Sequence, residues 1–139
     1  MDTGYYLDKV KEARLKITPR RKAVIELFLK SNSYLGPQEV KQLLKNKFRR
    51  LGLPSVYRIL EELKRSGILV KIEKKRRLYY ALCRIPHSDH HHFICKKCRK
   101  VEEVEYCNFE EISRFVEREL NARVEFHFLQ IEGLCSQCK

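Results

Sequence analysis

SVYRILEELKRSGILVKIEKKRRLYYAL, residues 55–82, is the stretch that decides the fold. From Ser55 to Ser66, Val56, Ile59, Leu60 and Leu63 recur at intervals of three and four, one apolar stripe of a helix with Tyr57, Arg58, Lys64 and Arg65 off it. Gly67 stops that helix. Ile68–Ile72 and Leu78–Leu82 then read as strands, joined by the cationic turn Glu73-Lys74-Lys75-Arg76-Arg77 into a hairpin with a basic tip. Upstream, Gly52-Leu53-Pro54 breaks the chain before the helix, and Gly36-Pro37 opens an earlier one with Val40, Leu43 and Leu44 inward. Thr18-Pro19, an N-cap followed by proline at the first helical position, opens another with Val24, Ile25, Leu27 and Phe28, stopping near Ser31 to Ser33. Three helices and then a basic hairpin predict a winged helix-turn-helix, whose third helix can enter a major groove while the hairpin tip reaches phosphates.

The charge distribution agrees. The chain of 139 residues has a net charge of +12, and residues 1–84 hold 22 basic and 8 acidic side chains against 8 and 10 in residues 85–139. The whole excess is N-terminal, so one half is built to seek a polyanion and the other has no electrostatic reason to touch one. The expected division is therefore 1–84, a winged-helix DNA-binding domain, and 85–139, a second small domain. Hydrophobic residues at 43% and charged residues at 35% suit a soluble globular chain. The charged N-terminus and the lack of a long apolar run predict neither a signal peptide nor a membrane span, and hence a cytoplasmic protein.

Four of the six cysteines form two pairs, Cys95-Lys96-Lys97-Cys98 and Cys135-Ser136-Gln137-Cys138, both in the second half. A cytosolic chain disfavours structural disulfides, and each pair sets two sulfurs on one tight turn, so four thiolates around a structural zinc ion are expected. A redox-active dithiol is the alternative, but such motifs usually stand alone at a helix start. Structural zinc contributes on the order of 10 kcal/mol of folding free energy in small peptides, the staple that a short domain lacks. Cys107 reads by default as a small buried apolar side chain.

Phe93–Cys95 and Val101–Tyr106 flank the first pair as short strands. Asn108–Leu120 reads as an amphipathic helix with Ile112, Phe115, Val116 and Leu120 inward, and Arg123–Ile131 as another strand. Three strands and a helix leave a sheet edge and an apolar helix face uncovered, which predicts pairing with a second copy, a homodimer. The fold class is thus α+β: a winged helix-turn-helix followed by a small α/β dimerisation domain with a four-cysteine zinc site. His87, His90, His91 and His92 fall within six residues. In an extended chain His90 and His92 face one way and Asp89 and His91 the other, so one strand can feed two metal sites; a solvated linker tract is the alternative.

These residues resemble the ferric uptake regulator family of metal-dependent repressors. The resemblance covers nearly the whole chain and rests on Leu15-Lys16-Ile17-Thr18-Pro19-Arg20-Arg21, Ser55-Val56-Tyr57-Arg58, residues His90 to Val101, and Gly133-Leu134-Cys135-Ser136-Gln137-Cys138. It implies a site within the dimerisation domain from Asp89, His91, Glu110 and His127. A sensory hinge site follows from His90, His92 and Glu103, but Tyr34 stands where iron and peroxide sensors draw a histidine from the DNA-binding half, and Ala81 replaces a carboxylate. Cys83 falls where zinc-sensing members contribute a thiolate, and both readings, ligand and packing residue, stand. A thiolate with two imidazoles and a carboxylate favours zinc over iron as the regulatory divalent metal, though manganese and nickel sensors share the scaffold. By the same resemblance Lys16 reaches a minor groove beside Ser55, Tyr57 and Arg58, and the operator is an A/T-rich inverted repeat of double-stranded DNA. The implied function is repression by a metal-loaded homodimer that controls metal-homeostasis genes. The competing classes are a constitutive zinc-ribbon DNA-binding protein and a metallohydrolase. The second lacks any His-Glu-x-x-His or nucleophile-elbow pattern and leaves the basic half unexplained, so no enzyme activity is expected.

Overall fold

The computed structural model describes residues 2–84 and 90–139. Asp89 and the expected boundary after residue 84 fall at or within the stretch outside the described residues. The first element, α1 (Thr3–Glu12), is one that the apolar pattern did not announce. Asp2 caps it, its carboxylate accepting from the Tyr5 N–H at 3.0 Å. One turn apart, Tyr6 and Val10 are fully buried, and the Tyr6 hydroxyl donates to the Cys83 carbonyl at 3.1 Å. Burial pushes the Tyr6 phenol up to about 12.

Three further helices follow the sequence closely: α2 (Pro19–Ser31), α3 (Pro37–Leu44) and α4 (Leu53–Arg65). Thr18 accepts from the Arg21 N–H at 3.1 Å, and Asn32 closes α2 in the left-handed region. In α3 the Glu39 carboxylate accepts from the Gly36 N–H at 3.0 Å. Val40 and Leu44 are buried there, but Leu43 is 56% exposed, contrary to expectation, because so short a helix docks through the single i, i+4 row. Val56, Ile59, Leu60 and Leu63 of α4 are all buried, as the stripe required. The wing is β1 (Leu69–Lys74) antiparallel to β2 (Arg77–Leu82), so the turn is only Lys75-Arg76, both at positive φ, 48° and 64°. Both central residues at positive φ is the geometry that matches strand twist in a two-residue hairpin.

The second sheet has the order β4-β3-β5, with β3 (His91–Cys95) antiparallel to β4 (Val101–Val104) and parallel to β5 (Gln130–Gly133). Between β4 and β5 lies α5 (Phe109–Leu120). Only the end of the stretch expected to be a strand from Arg123 pairs within this chain; residues 123–129 have no ladder partner among the described residues. α5 has no buried residue, and Phe115 (57% exposed), Phe126 (81%) and Phe128 (74%) stand open. The face expected to turn inward is thus unburied in a single chain.

One core fills the four-helix unit and reaches Tyr80 and Leu82 of the wing. A smaller one, Tyr34, Ile72, Ala81, Ile94 and Val101, joins the wing to β3 and β4. Arg99, left-handed at φ 68° in the first cysteine turn, reinforces that junction. Its guanidinium donates to both Glu39 carboxylate oxygens at 2.8 and 2.9 Å and lies 4.4 Å from the Tyr34 ring centroid and 5.2 Å from that of Tyr79. Lys74 pairs with Glu132 at 2.5 Å and donates to the Tyr34 hydroxyl at 3.3 Å.

Candidate metal centres and nucleic-acid interface

The four-cysteine site is assembled by the parallel pairing of β3 and β5. Cys95 lies beside Gly133 in register, and the Lys96 N–H donates to the Gly133 carbonyl at 2.9 Å, which sets the second cysteine turn against the first. The sulfurs of Cys95, Cys98, Cys135 and Cys138 all lie within 4.8 Å of one another. N–H groups of Cys98 and Cys135 point at the Cys95 sulfur from 3.5 and 3.4 Å and lower its thiol to about 6. Cys138 is pushed up to about 12, first by hydrogen bonding with the Cys135 thiol and then by burial. Four sulfurs this close ionise together only around a cation, and an all-sulfur tetrahedral set fits zinc.

The hinge cluster joins the end of the wing to the start of β3. The Cys83 sulfur lies 3.3 Å from His90 Nε2, which lies 3.1 Å from His92 Nε2, and Cys83 is buried. Burial, with the charges of His90 and His91, lowers His92 to about 4, so its imidazole is neutral. A neutral ring is the form that binds metal. Glu103 pairs with His92 across β3 and β4, but its carboxylate accepts the Arg84 N–H at 2.7 Å and stands outside the three-residue cluster. Tyr34 is buried in the packing around Arg99, with its hydroxyl accepting from Lys74; Ala81 lies in the same small core.

His91 faces the other way, as strand alternation requires. Its Nε2 lies 3.2 Å from Nε2 of His127, and the Cys107 sulfur is 3.3 Å from that same His127 atom. Phe109 stacks on His127 at 4.1 Å between ring centroids. Glu110 is not brought into this group, because it is exposed on the first turn of α5 and paired with Arg114 one turn on. Asp89 lies outside the described residues. Cys107, expected to be a packing residue, is half-buried and joins the two histidines. Nothing in its spacing signalled that, since it has no paired cysteine. Both histidine clusters open on one cleft of roughly 670 Å³.

On α4, Tyr57 and Arg58 are exposed and Ser55 half-buried, on the side away from the stripe that packs. Arg21 ties the segment before α2 to α4: it donates to the Lys16 carbonyl at 2.8 Å and to Glu62 at 2.5 and 3.1 Å. Exposed Lys16 is thereby held beside the helix.

The sequence model of the Ferric uptake regulator family matches residues 12–132. The chain belongs to this family. Among its relatives, the Ferric uptake regulation protein of Bacillus subtilis is 30% identical over 139 aligned residues, spanning 95% of this chain and 93% of that protein. The Peroxide operon regulator of the same organism is 27% identical, over 95% and 90% of the two chains. A zinc uptake regulator solved with zinc and DNA superimposes with a TM-score of 0.81 at 22% identity, over 97% and 91%, a likeness of fold. In this Fur-family chain Cys83 directly follows β2, and the four cysteines lie at the Cys95–Gly133 end of the β3–β5 pair.

Proposed function

We propose that this chain is a metal-responsive transcriptional repressor that binds operator DNA as a homodimer in the cytoplasm, with zinc at the four-cysteine site and a regulatory divalent ion at the hinge. The observation that carries the reading is the hinge cluster itself: Cys83 belongs to the winged half and His90 and His92 to the other, so an ion held by all three cross-links the two. Two imidazoles and a buried thiolate favour zinc over iron. The unburied phenylalanines of residues 109–128 and the unpaired stretch 123–129 support dimerisation, since a second copy supplies both the cover and the missing ladder. Within each winged unit, taken as residues 1–84, Ser55, Tyr57 and Arg58 are assigned to the major groove and Lys16 to an adjacent groove or phosphate.

Cys83, His90 and His92, once joined, hold the winged unit at one angle to the dimer and so set the spacing of the two α4 helices to that of two half-sites. Coupling of this kind is worth about 1–3 kcal/mol, or roughly 5- to 150-fold in DNA affinity. Arg99, with Glu39 and Tyr34, favours a second reading, a constitutive DNA-binding protein whose halves are already docked without a hinge ion. Selecting duplexes from random DNA with zinc present, then measuring their affinity with the hinge ion removed and the four-cysteine zinc retained, separates the two. A fall of about fivefold or more supports sensing; no change supports constitutive binding.

A further inference from the structure

We propose that the divalent-cation site of the second half, which the family resemblance builds on His91 and His127, takes Cys107 as a ligand in place of Glu110, and that this thiolate turns it toward a borderline-soft ion, zinc above magnesium or manganese. The three donor atoms lie within 4.8 Å of one another, with His127 Nε2 in contact with both His91 Nε2 and the Cys107 sulfur. Each is positioned independently. His91 is held by the β3 ladder and almost wholly buried, His127 is fixed by the ring of Phe109, and Cys107 directly precedes the cap of α5. Glu110 is turned to Arg114.

Two imidazoles and one thiolate carry a single negative charge and soft donors, a set that suits zinc and offers little to hard, oxygen-seeking ions. Among the described residues the donor set is these three, and it lies on the shared cleft, whereas the four-sulfur site is closed by its own cysteines. The proposal concerns metal binding alone and stands whether or not the chain regulates transcription.

The test uses the full-length protein with zinc kept at the four cysteines and Cys83→Ser as background, which removes the hinge thiolate. Cobalt titration is expected to add one thiolate-to-metal charge-transfer band in the near ultraviolet, and Cys107→Ala to abolish it and weaken zinc at that site at least tenfold. Glu110→Gln is expected to change neither by more than twofold. Persistence of the band in Cys107→Ala, its absence from the parent, or a tenfold loss in Glu110→Gln instead would overturn the assignment. A second readout needs no variant at Cys107: zinc should slow iodoacetamide alkylation of Cys107 at least tenfold by peptide mass spectrometry. Unprotected Cys107 at saturating zinc refutes the site.

Discussion

Replacing Arg99 by alanine removes the side chain that docks the first cysteine turn on the winged unit. Two contributions are lost. The forked pair with Glu39 is partly exposed on both sides, which limits it to about 0.5–1 kcal/mol despite good geometry. The guanidinium against Tyr34, buried on that side, adds about 0.5–1 kcal/mol, and its looser approach to Tyr79 less. Arg99→Ala is therefore expected to destabilise the zinc-loaded protein by about 1–2 kcal/mol, roughly five- to thirtyfold in an equilibrium constant. Urea unfolding followed by tyrosine fluorescence measures it, and a cycle with Glu39→Gln separates the ion pair, expected at about 0.5–1 kcal/mol of coupling. High salt should shrink that coupling and leave the remainder. A cost below about 0.5 kcal/mol with no coupling would refute the docking of the two halves through Arg99.

The same pair sets an acid limb. Hydrogen bonds from Arg99, and more weakly from the Gly36 N–H, hold the Glu39 carboxyl below its ordinary range against the opposing effect of burial. Its contribution is therefore complete above the unfolded carboxylate pKa and lost as pH falls through the folded one, so stability measured from neutral pH downward should fall less steeply in Arg99→Ala than in the parent. Cys95→Ser should release the four-cysteine zinc and unfold the second half, because that core cannot replace the ion; an unchanged melting temperature would contradict it. On DNA, Tyr57→Ala should lower affinity for a selected duplex more than for random DNA, whereas Lys16→Ala should weaken both and reduce the salt slope by about one. Phe126→Glu should convert dimer to monomer in sedimentation while the winged unit stays folded, since Phe126 is 81% exposed in the single chain.

Much of this architecture was legible in the sequence because it rests on local rules. The stripe of α4, the Thr18 and Gly67 boundaries and the cysteine spacing each follow from residues a few positions apart, and all of them reappear in three dimensions. What escaped depends on distant partners. α1 buries only Tyr6 and Val10 completely, too narrow a signal to stand out among charged neighbours. Residues 123–129 alternate like a strand yet have no ladder among the described residues of one chain. Arg99 looks like any basic surface residue until the Glu39, Tyr34 and Tyr79 side chains surround it. Cys107 acquires its neighbours only when the turn before α5 folds back on His127.

If the hinge cluster couples an ion to DNA, the coupling is reciprocal. Zinc affinity at the hinge, measured by calorimetry with and without a selected duplex, must then rise on DNA binding by the same factor by which zinc raises DNA affinity. Equal factors of about fivefold or more are expected in the parent and a factor near one in Cys83→Ser, with zinc at the four cysteines retained in both. A Cys83→Ser protein that keeps the parent's factor, or a parent whose DNA affinity ignores the hinge ion, would contradict coupling through Cys83, His90 and His92.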